Sequence, residues 1–453
     1  MWRGFAMWSL GAWCMLGRVL SQSVQSSPDT SCMLQFSAAH QNLDSSDPDC
    51  SSSADWTEQL RVTALNSTSS SLSGISTSSG AEGDTSLMAW SPNSGTVPGD
   101  VLVFKYSASA GWEVQANLTE VASQNVTLPA SWADDTALSS EKIVVASERV
   151  NVAGVRETHT FKYDGASWVF LGQQSFPSIN SLLFALGGDL LVFEGAQASN
   201  RVFQTFQLQG SSWSLVPTAE IQLVSSEIPR FASDGRTLAI QLESQVFVYR
   251  WAANSWSNVA NISEPTGFGL GPVDVDGDYI IASWVIVTDT FRLETAIYED
   301  QSGLWSEVFR IENDPSGVPF TRVLEISSSG KAIVDCASAV GCSGITILEV
   351  SSNGTWGVTQ TIDYVPSASR AFPSGAISAI SLAVAQWVVP AAGPRESIGR
   401  IFGCNGTSPT STTTMPLPYY RPYYGRRCPP RCRRHYHRPP WFWWRCKRLC
   451  GNW

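Results

Sequence analysis

The chain has 453 residues, with 29 basic and 39 acidic side chains and a formal charge of −10. Only 15% of it is charged, well below the roughly 25% of an ordinary soluble domain, and no apolar run reaches the about 20 residues that a membrane-spanning helix needs. The charge is unevenly placed: residues 421–448 hold nine Arg and one Lys, and with these and Arg3 and Arg18 set aside, 17 basic residues remain against 39 acidic ones. A body this acidic excludes nucleic acid as its partner, because phosphate contacts need a basic face.

Residues 1–23 read as a secretory signal peptide. Arg3 precedes a short apolar run from Gly4 to Leu16, and small residues at Val19 and Ser21 suit cleavage. Secretion favours disulfides and asparagine-linked glycans, and six N-x-S/T sequons agree with it, at Asn66, Asn117, Asn125, Asn261, Asn353 and Asn405.

From residue 24 to 405 one pattern recurs: a short apolar strand, a turn rich in Gly, Asn, Asp and Ser, then a Trp that opens the next strand. Its tryptophans are Trp112, Trp168, Trp213, Trp256, Trp305 and Trp356, with Trp56 after Cys32–Phe36 as a looser seventh. Their spacing of about 43 to 56 residues matches a four-stranded propeller blade and not an immunoglobulin-like sandwich, which repeats near 100. The turns before the tryptophans, such as Asp164-Gly165 and Asn353-Gly354, carry residues that tolerate the positive φ of a tight hairpin. More apolar segments lie between these hairpins, as in Phe231–Ile240 and Leu324–Val334, and read as inner strands buried on both faces. The serine-rich stretch Ser67–Ser86 reads as a loop of low complexity.

The two ends of the body are complementary. Ala376–Ala391 and Ile398–Phe402 supply strands with no Trp strand behind them, while Trp56 opens a strand with no inner strands before it. Pairing them completes a blade and removes two free sheet edges. The expected fold is therefore all-β, a single propeller of seven four-stranded antiparallel blades closed by its N- and C-terminal strands. The tryptophans are expected to pack between blades, not to form a carbohydrate-stacking platform.

Gly267-Phe-Gly-Leu-Gly-Pro-Val-Asp-Val-Asp-Gly-Asp-Tyr-Ile-Ile-Ala-Ser283, followed by Ala296-Ile-Tyr298 and Leu304-Trp305, resembles the FG-GAP repeats of integrin-α-type propellers. Kelch-like propellers share the strand and turn rhythm of the remaining repeats. The resemblance spans residues 31–405 in rhythm and implies a binding face used in adhesion or surface recognition. Asp274, Asp276 and Asp278 are the candidate ligands for calcium, the one cofactor considered, since carboxylates at alternate positions can converge on a hard cation. In the family's calcium loops the Gly follows the third Asp, whereas Gly277 here precedes it, and the competing reading is a hairpin turn.

Cys14 leaves with the signal, so nine cysteines remain and one is left for an unpaired or intermolecular role. Cys336 and Cys342 bracket a hairpin loop and form the expected local disulfide. Cys32 has two candidate partners, Cys50 and Cys404. Residues 406–418 read as a Ser/Thr/Pro linker, and residues 419–453 form a basic tail rich in Trp and Cys. In that tail Cys428, Cys432, Cys446 and Cys450 frame two C-x₃-C pairs suited to disulfides, with zinc shared with His435 or His437 as the alternative. Arg433, Arg434, Trp441, Trp443, Trp444 and Arg445 combine cationic and aromatic groups that suit an anionic membrane or an acidic polysaccharide.

No G-x-S-x-G or H-E-x-x-H motif occurs, and the body holds only His40 and His159, both read as surface or strand residues. The function expected is a non-enzymatic extracellular module recognising a glycan or a protein. The alternatives are a polysaccharide-acting enzyme with carboxyls in the central funnel and a disulfide-linked matrix protein.

Overall fold

The computed structural model describes residues 33–38, 56–65, 70–78, 85–92, 98–107, 111–129, 132, 135–140, 142–149, 156–176, 184–197, 200–225, 227–264, 267–268, 272–287, 291–311, 320–337, 343–363, 368–377, 381–390 and 396–404. Residues 1–23, 406–418 and 419–453, read above as signal, linker and tail, lie outside them. No helix among the described residues is long and apolar enough to cross a membrane.

Two strands come first, β1 (Met33–Ala38) and β2 (Trp56–Leu65). Blade 1 is β3 (Ser70–Ser78), β4 (Thr85–Pro92), β5 (Asp100–Ser107) and β6 (Gly111–Asn117), followed by a short helix α1 (Leu118–Ser123). Blade 2 is β7 (Asp135–Leu138), β8 (Ile143–Arg149), β9 (Arg156–Tyr163) and β10 (Trp168–Phe176). Blade 3 is β11 (Phe184–Gly187), β12 (Leu190–Gln197), β13 (Asn200–Gln209) and β14 (Ser212–Leu215), with β15 (Ile221–Val224) continuing the edge of β13 where β14 stops. Blade 4 is β16 (Arg230–Ser233), β17 (Thr237–Leu242), β18 (Gln245–Ala252) and β19 (Ser255–Ser263). Blade 5 is β20 (Gly267–Phe268), β21 (Val273–Asp276), β22 (Tyr279–Val287), β23 (Phe291–Gln301) and β24 (Leu304–Ile311), and blade 6 is β25 (Phe320–Ser327), β26 (Lys331–Ala337), β27 (Ser343–Val350) and β28 (Trp356–Asp363).

Blade 7 joins the two ends of the body. β29 (Ala368–Ile377), β30 (Ser381–Pro390) and β31 (Glu396–Cys404) continue into β2 and then β1, in the order β29-β30-β31-β2-β1. All pairings are antiparallel, and the innermost strands β3, β7, β11, β16, β21, β25 and β29 each lie beside the next, β29 returning to β3. The seven-bladed ring closed by its terminal strands is therefore as expected. Two details differ. Residues Cys32–Phe36 do not supply the third strand of Trp56's blade: β31 does, and β1 pairs outside β2 as a fifth strand. The stretch Ser67–Ser86 is not a loop, because it contains β3, the inner strand of blade 1.

Burial follows from the ring. β17 lies between neighbouring sheets and is buried at all six positions, TLAIQL, whereas the outermost strand β10 is buried only at its ends, Trp168 and Phe176. Each of the seven tryptophans opens an outermost strand, or in blade 7 the strand beside it. Six of them are no more than 9% exposed, with Trp256 half-buried.

The indole N–H groups reach back to the preceding blade. Trp112 donates to Gln59 Oε1 (2.9 Å), Trp168 to Gln115 Oε1 (2.9 Å), Trp213 to Thr160 Oγ1 (2.8 Å), Trp256 to Thr205 Oγ1 (2.8 Å) and Trp56 to Glu349 Oε1 (3.2 Å). In six blades the ladder slips by one residue where the Trp strand pairs with its neighbour. The skipped residue is always the third after the Trp: Gln59, Gln115, Leu171, Val259, Val308 or Thr359. A bulge re-aims the extra side chain, and at Gln59 and Gln115 that side chain becomes the acceptor for the next blade's indole.

Trp305 breaks the pattern, because its buried Nε1 has no partner. The acceptors Thr160 and Thr205 stand eight residues before the Trp of their own blades, and blade 4 has Val248 at that position, fully buried and in the same apolar cluster as Trp305. Val248→Thr places a hydroxyl of nearly the same shape opposite the orphaned donor. The expected result is a gain of about 1 kcal/mol in urea unfolding; an unchanged or lower midpoint would show that the donor is not the limiting defect.

Candidate functional site

In blades 2 to 6 the turns that join the innermost strand to its neighbour converge, with Ile377 at the end of β29, around a cavity of about 520 Å³. Blades 2 to 7 all contribute, through Ser139 and Ser140, Gly187 and Gly188, Ser233 and Asp234, Asp274 to Asp276, Glu325 to Ser329, and Ile377. Among the described residues the lining includes four carboxyl groups, Asp234, Asp274, Asp276 and Glu325, and no Lys, Arg or His.

Each of these carboxyls also holds a main-chain N–H of the next blade. Asp234 Oδ2 accepts from Gly277 N (2.9 Å), Asp274 Oδ2 from Ile326 N (2.8 Å) and Asp276 Oδ2 from Ser328 N (2.8 Å), while Glu325 accepts from the backbone of Ile377. The result is a staircase of carboxyls from blade 4 to blade 7. The turns are compact enough to allow it: Gly187 of blade 3 lies against the Asp234–Gly235 backbone, where a Cβ would stand 2.1 Å from Gly235 N.

Crowding four acids around one cavity changes their acidity. Burial holds Asp274 up at about 7, against the pull of its bonds from Ile326 and Val275, and the charges of Asp276 and Asp234 push it the same way. Burial raises Glu325 well above the usual carboxyl range, with Asp274 and Asp276 adding to it. Asp234 is also raised, again mainly by burial. At neutral pH the cavity therefore presents protonated carboxyls as well as serine hydroxyls, so donors and acceptors stand side by side.

Asp274 titrates higher in the fold than in the unfolded chain. The stability linked to it is thus present at acid pH and lost as pH rises through about 7. Asp274→Asn keeps an acceptor for Ile326 N and cannot ionise. It is expected to be more stable than wild type by about 2 kcal/mol at pH 8 and equal to it near pH 4, the gain being reduced by solvent in the cavity. Parallel denaturation curves at the two pH values check this.

Asp274, Asp276 and Asp278 do not converge on a common point. Asp278 lies past the turn at Gly277, its side chain 67% exposed and 3.7 Å from Arg250. Among the described residues no group of three or more His, Cys, Asp or Glu side chains is arranged for a metal ion. The turn reading explains the Asp-Gly element of this segment, with Gly277 at φ 62°.

The other candidate residues are scattered. Asn261 and Asn353 are exposed, on β19 and in the turn before Trp356, and Asn125 is exposed beyond α1. Asn117 is engaged as the N-cap of α1, its Oδ1 accepting from Thr119 N and Glu120 N, while Asn66 and Asn405 lie outside the described residues. Cys336 ends the hairpin β26–β27 opposite Gly344; Cys342 lies in the connection outside the described residues. Cys404 pairs with Trp56 at one end of β2, and Met33, next to the undescribed Cys32, pairs with Leu65 at the other end of that 10-residue strand. Cys50, Cys428, Cys432, Cys446, Cys450, Arg433, Arg434, Trp441, Trp443, Trp444 and Arg445 lie outside the described residues. Sequence reasoning missed Asp234 and Glu325; the signal available was an acidic or serine-rich turn recurring between the inner strands, as in Ser233-Asp234-Gly235 and Ser327–Ser329.

No protein-family model matches the chain, and no curated protein matches it. Among solved structures it is similar to the β-propeller domain of the Trilobed protease from Pyrococcus furiosus, with 10% identity, a TM-score of 0.44, and coverage of 73% of this chain and 95% of that one. A putative 6-phosphogluconolactonase from Bacteroides fragilis has 11% identity and a TM-score of 0.43 over 75% and 97% of the two chains. A polysaccharide lyase has 11% identity and a TM-score of 0.43 over 73% and 90%. Likeness at this level concerns fold alone.

Proposed function

We propose that this chain is a secreted recognition propeller whose axial cavity binds an extracellular glycan. The observation that carries the reading is the lining itself: among the described residues, serine hydroxyls and carboxyls from blades 2, 4, 5 and 6 meet in one cavity, with no basic side chain beside them. Sugars present both donors and acceptors, and a wall that offers both can satisfy them without burying an unpaired charge. A protein ligand would engage the same mouth through backbone and hydroxyl groups. Membership of the FG-GAP family rests on the Gly267–Ser283 segment, and the basic tail, through Arg433, Arg434, Trp441, Trp443, Trp444 and Arg445, would hold the module to an anionic surface.

The test is a glycan array probed with the full secreted chain and with Asp276→Asn and Glu325→Gln variants, each with and without calcium. Binding by wild type that both variants lose while keeping the same unfolding transition supports the reading. Wild-type binding that both variants retain refutes the cavity as its seat. Loss in chelator alone would restore Asp274, Asp276 and Asp278 as cation ligands.

A second reading has its own support. A buried carboxyl held at about 7, Asp274, lines the same cavity as Asp276, and a raised acid with a second carboxyl near it is the machinery of glycoside cleavage. Release of reducing ends from the bound glycan, abolished by Asp274→Asn, would make the chain an enzyme.

A further inference from the structure

His159 on β9 is fully buried, and neither of its ring nitrogens has a hydrogen-bond partner. Its ring meets Trp132 edge to face at 4.8 Å and stacks near Phe170 at 6.2 Å. Trp132 is also fully buried and belongs to the segment that connects blade 1 to blade 2. It packs with Leu118 and Ala122 of α1 and with Phe161 of β9 in one apolar cluster.

Besides its apolar packing, that segment is tied to blade 1 through the Thr119 hydroxyl. Trp132 Nε1 donates to Thr119 Oγ1 (2.8 Å), Val101 N donates to Thr119 Oγ1 (3.0 Å), and Thr119 Oγ1 donates to Gly99 O (3.0 Å). The hydroxyl has then used its donor and both lone pairs. The contact of Trp132 with His159 is accordingly a joint between blade 2 and the α1 segment.

We infer that protonation of His159 acts as an acid-operated release of the α1–Trp132 segment from blade 2. A charge on this ring would sit between two aromatic rings with no hydrogen-bond acceptor at either nitrogen, and the readiest way to solvate it is for the segment to lift. The groups around it offer no rescue. Its neighbours across the ladder are Ala146 on β8 and Gln173 on β10, and Trp132 and Phe170 cover its faces. The charged group acting on it is Glu157, on its own strand, whose carboxylate already accepts from Gln173 and Ser175; Glu120, on α1, is exposed. Burial lowers the ring to about 4 despite Glu157. Protons therefore favour the open segment as pH falls from about 6.5 towards 4.

The test is hydrogen exchange of the 118–123 amides on the full chain, corrected for the intrinsic pH effect. Between pH 7.5 and 5 the open population should rise roughly 30-fold in wild type and stay level in His159→Phe, which keeps an aromatic ring at the site. Equal responses in the two chains, or none in wild type, would overturn the inference. If the variant fails to fold, the ring titration of His159 in wild type decides by NMR: a midpoint near 4 supports the release and one near 6.5 refutes it. The local readout separates this effect from the cavity carboxyls of blades 4 to 6.

Discussion

Trp56→Ala is expected to cost about 4 kcal/mol of stability, the upper range for truncating a buried Trp. The ring is 4% exposed and fills the seam between blades 6 and 7, against Ile333, Ile345 and Ile347 on one side and Leu382 and Phe402 on the other. Its N–H bonds Glu349, which also holds Lys331 Nζ at 2.8 Å, and that ammonium lies 5.5 Å from the ring centre. Truncation therefore opens a cavity beside a buried ion pair and exposes it to strain. The main chain of Trp56 stays clasped by Gln360, whose carboxamide accepts from Trp56 N at 2.7 Å and donates to Trp56 O at 3.2 Å. The loss measured by urea unfolding would thus report the side chain alone. A change below 1 kcal/mol would mean that the seam contributes little to the ring.

Gly187→Ala should destabilise by about 3 kcal/mol, at the high end for overpacking. The new methyl would stand 2.1 Å from Gly235 N, 2.4 Å from Asp234 C and 2.6 Å from Ser233 O. All three are backbone atoms of the neighbouring turn, which no rotamer change can move aside. Relief requires blades 3 and 4 to part at the cavity, so the glycan binding proposed for it should fall together with the unfolding midpoint. A variant as stable as wild type would show that these turns do not meet in solution.

The seven tryptophans made the blade count readable because each opens a strand with its ring between two sheets, and six of them follow a hairpin turn. The hairpin turns were readable for a similar reason, since Gly165, Gly210, Asn254, Gly303 and Gly354 all take the positive φ that their residue types permit. β3 was not readable. Its sequence, SSLSGISTS, has the composition of a linker, and only pairing with β4 and packing beside β7 and β29 make it a strand. The bulge three residues after six of the tryptophans was equally hidden, as it falls on Gln, Leu, Val and Thr alike and depends on the ladder, not on the residue. The cavity was legible in part. Asp274 and Asp276 stood out as a motif, but their companions Asp234 and Glu325 come from other repeats, and only ring closure brings the four together.

The seam that closes the ring has a cost in time. Arg400 Nε donates to Glu58 Oε2 at 2.6 Å across 342 positions of sequence, and Trp56 meets Gln360 across 304. Contacts this distant carry the largest loop-closure entropy and form late. At ribosomal speeds of about 5–20 residues per second, β2 would wait roughly 20 to 70 s for the strands that complete its sheet. During that interval its backbone donors and acceptors are an open template for any extended chain nearby. The yield of folded protein would then be governed by how well the first strands are shielded during synthesis, before the stability of the finished ring has any influence.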